Sequence, residues 1–203
     1  MKKLLLPIIL LYSVFSFSQK KERRAGEYSV YLSSVEAPKA ITSSALDTVL
    51  STYEDSIMKI VWVYSGSFLG FIVTNRSGET FKIIWDDAAY IDLGNQSLRI
   101  FHTGVSYIDR DKPQPPTSVY KNTTLEELIA PASYTTFEPG QFTGGWKSRP
   151  LIPIAPGVFS SKVEYNERLI GQILRVVLPI KMDERVLEYM FSFKIKFIQK
   201  GTN

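Results

Sequence analysis

At the end of the chain, apolar and polar positions alternate with the period of a β-strand. Leu187, Tyr189, Phe191, Phe193, Ile195 and Phe197 interleave with Glu188, Met190, Ser192, Lys194, Lys196 and Ile198. A period of two sends the first set to one face, so the segment is predicted to be a long strand with that face in the core. Upstream, Leu169 to Ile180 is a second apolar run, and Lys181-Met182-Asp183-Glu184 has the length and polarity of a hairpin connector. The two runs are expected to pair antiparallel.

Shorter runs precede them. Tyr28 to Ser33 alternates like a half-buried strand, and Ile57 to Tyr64, Phe68 to Thr74 and Thr80 to Trp85 are rich in β-branched and aromatic residues. The turn signals Ser65-Gly66-Ser67 and Asn75-Arg76-Ser77-Gly78 separate the last three, which predicts a meander. Leu93-Gly94-Asn95-Gln96 then divides Ala89-Tyr90-Ile91 from Leu98-Arg99-Ile100-Phe101. One stretch departs from this pattern: Ser44-Ala45-Leu46-Asp47 resembles a capping box, and Leu46, Val49, Leu50 and Tyr53 fall at helical spacing, which predicts one short helix. The pattern as a whole predicts an all-β chain, a single antiparallel β-sandwich with a long C-terminal hairpin and at most one or two short helices.

Residues 109–165 are of another kind. Pro113, Pro115, Pro116, Pro131, Pro139, Pro150, Pro153 and Pro156 occur there with Gly140, Gly144, Gly145 and Gly157. Neither residue type sustains a ladder, so the region is expected to be mostly ordered loop. Pro113-Gln114-Pro115-Pro116-Thr117 has the composition of a stiff polyproline II segment. The aromatic residues Tyr134, Phe137, Phe142 and Trp146 are expected either to present flat rings to a partner or to fold back over the core. Together with the three prolines of the stiff segment they are the candidate partner-binding residues.

Charge and composition change the picture at the N-terminus. Lys2 and Lys3, an apolar run from Leu4 to Phe15 and the small residues of Ser16-Phe17-Ser18 follow the order of a cleavable signal peptide, too short to cross a bilayer. The expected organisation is a signal peptide over 1–18, a charged tether over 19–27 and one domain over 28–203. Cleavage removes two lysines and no acid, so the net charge falls from +4 to +2. Near balance gives no basic stripe of the kind that binds nucleic acid. The chain has no cysteine, so a lipid anchor on a cysteine at the cleavage point is not expected.

The missing residue types narrow the chemistry further. With no cysteine and one histidine, His102, the usual His/Cys metal sites are not expected within one chain. No Gly-x-Ser-x-Gly elbow is present to expose a nucleophile beside it. His102 is expected to be a strand-end residue bonded to backbone. Asp86, Asp87 and Asp92, with Asp109 and Asp111 further on, offer oxygen ligands for calcium. Arg110 and Lys112 stand between and beside the last two, however, and the glycine and final glutamate of an EF-hand are missing. Two tripeptides, Asp47-Thr48-Val49 and Asp55-Ser56-Ile57, match the acid-hydroxyl-apolar pattern O-glycosylated on exported proteins of some Gram-negative bacteria.

Phe71 to Ser77, Ile83 to Asp92, His102-Thr103-Gly104-Val105 and Pro113 to Thr117 together resemble a group of exported or lipoprotein-like bacterial β proteins. The resemblance implies an envelope location and a β-sandwich, and it implies no activity. The expected role is therefore that of a non-enzymatic exported protein of the periplasm or cell surface, a binding or accessory subunit of a larger envelope assembly. Its partners are expected to be envelope proteins, with no nucleic acid, no cofactor and no membrane span after cleavage. The alternatives are a protein that binds or acts on carbohydrate and a calcium-stabilised adhesion module.

Overall fold

The computed structural model describes residues 23–140, 144–153 and 162–199. The expected signal peptide, residues 19–22 and Phe142 lie outside them. The N-terminal strands are β1 (Arg23–Glu36), β2 (Ser44–Asp47), β3 (Thr52–Asp55), β4 (Met58–Ser65), β5 (Phe68–Asn75), β6 (Phe81–Ile83), β7 (Ala89–Ile91) and β8 (Ser97–His102). They are followed by β9 (Thr117–Val119), β10 (Thr124–Pro131), β11 (Thr135–Glu138), β12 (Gly145–Ser148), β13 (Lys162–Glu164), β14 (Ile173–Met182) and β15 (Arg185–Gln199). Helical structure among the described residues is confined to three single turns, at Trp85–Asp87, Ala132–Tyr134 and Glu167–Leu169. The fold is all-β, and no helix among the described residues is long and apolar enough to cross a membrane.

Among the described residues, thirteen strands form one antiparallel sheet in the order β13-β1-β15-β14-β7-β8-β10-β5-β4-β3-β2, with β6 joining β14 to β9. The small β11-β12 pair stands apart. The long sheet curls until its C-terminal strands face the meander. Trp62 of β4 meets Phe191 and Phe193 of β15 at ring centroid distances of 5.0 and 5.1 Å, and Tyr53 of β3 meets Phe191 at 6.0 Å. This aromatic layer, with Leu32, Ile60, Phe71, Trp85 and Leu178, is the core. Where the sheet has turned back towards itself, Ser51 bridges β1 and β4: its carbonyl accepts from the Trp62 amide at 2.9 Å and its hydroxyl from the Leu32 amide at 3.1 Å.

The final hairpin follows the alternation. β14 and β15 pair from Ile173↔Lys194 to Met182↔Arg185, and the two-residue turn Asp183-Glu184 places Asp183 at φ +49°. Tyr189, Phe191, Phe193 and Ile195 are buried as expected, and β1 covers the other edge of β15 through Tyr28↔Phe197 and Leu32↔Phe193. β1 begins at Arg23, inside the stretch expected to be a tether, because its first residues pair with β13 and β15.

Two further expectations are corrected. The helix expected over Ser44 to Tyr53 is instead the β2-β3 hairpin, with Leu46 opposite Tyr53. Asp47 Oδ1 caps a turn, accepting from the amides of Val49 and Leu50, and the residues at helical spacing form no buried stripe. β6 does not continue the meander beside β5; it crosses to β14 and β9. Among the described residues of 109–165, the strands β9 to β13 stand between longer stretches of turn and loop, since prolines at strand ends such as Pro131 interrupt ladders without forbidding them.

The packing sets a direct test. Phe193→Ala should cost about 3–5 kcal/mol of folding free energy and Lys194→Ala less than about 0.5 kcal/mol. Denaturant melts of the two variants measure the difference, and equal losses would contradict the assigned faces.

Candidate functional site

The outer face of β4, β5 and β10 is built from the residues that alternate with the core. Register aligns Val63, Gly70 and Leu128 in one row and Val61, Ile72 and Glu126 in the next. Val63 is 57% exposed and Leu128 48%, and Ile72 beside them is also exposed. A side chain at Gly70 would press against Leu128, with the added carbon 3.0 Å from Leu128 Cδ2. Glycine there lets Leu128 lie across the strand.

Leu128 is the ridge between two shallow grooves. One, about 150 Å³, is bounded by Val63, Ile72 and Glu126. The other, about 250 Å³, is bounded by Phe68, Phe101, Tyr107 and Ala130. Phe101, Ala130 and Ala132 form a second, smaller core on this outer side, separate from the main one. Apolar residues on both faces of β8 and β10 are its origin: Ile100 and Ile129 point inward while Phe101 and Ala130 point outward.

From this second core a line of rings runs outward. Phe101 meets Tyr107 edge to face at 5.7 Å, Tyr107 meets Trp146 at 5.6 Å, and Trp146 meets Phe137 at 5.5 Å. β11 and β12 pair Phe137 directly with Trp146 and so carry both rings on one hairpin. Phe137 is 58% exposed and Trp146 36%. The guanidinium of Arg110 lies 5.0 Å from the Trp146 ring centroid, held by hydrogen bonds to the carbonyls of Ala132 at 3.1 Å and Tyr107 at 2.8 Å.

The other expected site residues divide. Tyr134 is buried against Tyr90, with Arg149 over its ring at 3.6 Å, so it belongs to the core and not to a contact surface. Pro113, Pro115 and Pro116 are exposed, and Gln114 between them is buried and donates to the Ile100 carbonyl at 2.7 Å. The proline segment is thereby pinned to β8. The structure does not join it to the aromatic line.

Asp109 pairs with Lys112 at 2.6 Å and Asp111 with Arg110 at 3.5 Å. Asp86 pairs with Arg99, and Asp92 caps its own turn through the amides of Gly94 and Gln96. No group of three or more His, Asp or Glu that could hold a metal ion occurs among the described residues.

His102 is not bonded to backbone as expected. Its ring stacks on Trp85 at 4.1 Å and 10°, and its Nδ1 lies 3.3 Å from Glu127 Oε2. Trp85 is anchored in turn by donating to Thr117 Oγ1 at 2.8 Å. Both members of the His102-Glu127 pair are almost closed to solvent, which suits a packed polar corner rather than a site that admits substrate.

A second buried polar group was not visible in the sequence. Asp55, read there only as part of a tripeptide, accepts from the Tyr53 hydroxyl at 3.0 Å, the Tyr189 hydroxyl at 2.9 Å and the amides of Ile57 at 2.7 Å and Met58 at 2.9 Å. The chain matches no family model, no curated protein and no solved structure.

The buried phenols give a pH prediction. Burial pushes Tyr64 up to about 12, and burial together with the charge of Asp55 raises Tyr53 and Tyr189 further. The folded state then keeps phenolic protons that the unfolded chain releases. Stability is fully present below about pH 10 and falls as pH rises beyond it. Denaturant midpoints should drop between about pH 10 and about pH 12, and Tyr64→Phe should make the drop shallower. A midpoint flat across that interval would contradict the burial of these phenols.

Proposed function

We propose that this chain is a non-catalytic exported protein that docks a partner protein of the bacterial envelope on the outer face of β4, β5 and β10, as an accessory subunit. The observation that carries the reading is that exposed Val63, Ile72 and Leu128 share one outer face with a groove over the buried second core, from which a line of rings leads to exposed Trp146 and Phe137. Exposed apolar side chains gathered on one face, rimmed by charge such as Glu126, mark association sites. Aromatic anchors beside a packed base supply most of the energy of such contacts.

A protein partner suits the geometry better than a sugar. Stacking on a sugar needs an open, flat ring face, and Trp146 has Arg110 over its ring and Tyr107 and Phe137 packed beside it.

The test uses two variants, Leu128→Asp and the double change Phe137→Ser with Trp146→Ser. A photo-crosslinking residue at Val63 in the exporting cell should capture a discrete protein, and each variant should weaken that capture roughly 10- to 100-fold while the melting midpoint stays nearly constant. A large stability loss with unchanged capture per folded molecule would make these side chains a lid on the monomer and overturn the reading.

A further inference from the structure

The turn that joins β2 to β3 is firmly built, yet the side chains at its tip, Thr48, Val49 and Leu50, stand exposed. Asp47 Oδ1 accepts from the amides of Val49 at 2.8 Å and Leu50 at 3.0 Å, and Ser51 ties the turn to β1 and β4 through Leu32 and Trp62. At the tip Val49 is 87% exposed and Leu50 66%. Thr48 is exposed and its hydroxyl makes no hydrogen bond among the described residues. Turns favour Asn, Asp, Gly or Ser for their own geometry, so two aliphatic residues held out in water are not explained by the turn.

Acid, free hydroxyl and aliphatic side chain thus stand exposed in sequence at the tip. The same pattern recurs at Asp55-Ser56-Ile57, at the other end of β3, and there the structure withdraws the acid: Asp55 is 7% exposed and both its oxygens are taken by internal donors. Asp47 Oδ2 has no such partner among the described residues.

We infer that Thr48 is an O-glycosylation site of the exported chain and that Ser56 is not. The inference rests on the export part of the proposed function and is independent of the docking face. In the transfer, Thr48 Oγ attacks the anomeric carbon of a glycan carried on a lipid diphosphate. The bond from that carbon to Oγ forms as its bond to the phosphate oxygen breaks, the hydroxyl proton passes to a base of the transferase, and the lipid diphosphate leaves. Exposed Asp47 and Val49 flank the acceptor for recognition. β2 is the last strand of the sheet, exposed along its whole length and without lysine or proline to guard its edge. A glycan at Thr48 stands beside that edge and hinders pairing with another chain.

Lys39 and Lys59 place both hydroxyls on one tryptic peptide, Ala40 to Lys59. The mature protein isolated from its own cells should yield this peptide with a glycan that fragmentation locates on Thr48. Thr48→Ala should abolish the added mass, while Thr48→Ser and Ser56→Ala should keep it. A bare peptide on a chain beginning near Gln19, or a glycan on Ser56 with Thr48 bare, overturns the inference. An intact Met1 on the whole population overturns export and the inference together.

Discussion

The carboxylate of Asp55 sits in the interior with four donors around it and no cation among the described residues. Removing a carboxylate from water is costly unless its lone pairs are met, and all four contacts here are donors, the complement of a group that accepts only. Two of them, the amides of Ile57 and Met58, fix the turn from β3 into β4. The other two come from Tyr53 on β3 and Tyr189 on β15, so one side chain joins the meander to the C-terminal hairpin across the core. The spacing at which Trp62 meets Phe191 and Phe193 depends on that join, because rings packed without a polar anchor can slide where a hydrogen-bonded carboxylate cannot. The outer face depends on it in turn: once the inner residues of β4 are locked against β15, Val61 and Val63 must face water.

Much of this architecture was legible in the residues. The alternation from Leu187 to Phe197 is long enough to leave one solution, and the strands from Met58 to His102 are bounded by turn residues whose conformations the backbone uses. Connectivity between distant strands was less accessible. Nothing local in Phe81-Lys82-Ile83 says that it crosses to β14, since a three-residue strand takes its partner from the sheet that receives it. The β2-β3 hairpin was misread because Leu46, Val49, Leu50 and Tyr53 satisfy a helical period by accident, and the decisive group, the Asp47 carboxylate, serves a capping box and a hairpin turn equally well.

The candidate site was half legible for a related reason. Phe137 and Trp146 were recognisable as large rings in a segment poor in ladder, and they do stand exposed. Tyr134, in the same segment, turned inward to Tyr90, a choice set by a strand more than forty positions away. The apolar outer face was not foreseen at all. A period of two assigns one face to the core, and it says nothing of a second face that is also apolar, as Ile72 and Leu128 make it. His102 shows the same limit, since its Glu127 partner lies on a neighbouring strand whose register only the fold supplies.

The Asp55 carboxylate couples the two layers, and a double-mutant cycle on Asp55→Ala and Tyr189→Phe measures that coupling. Denaturant melts of the wild type, both single variants and the double variant should give an interaction energy of about 1.5–3 kcal/mol, the worth of a hydrogen bond to a charged group. Losses that add to within about 0.5 kcal/mol would show that the two side chains stabilise the fold independently, and would contradict a coupling through Asp55.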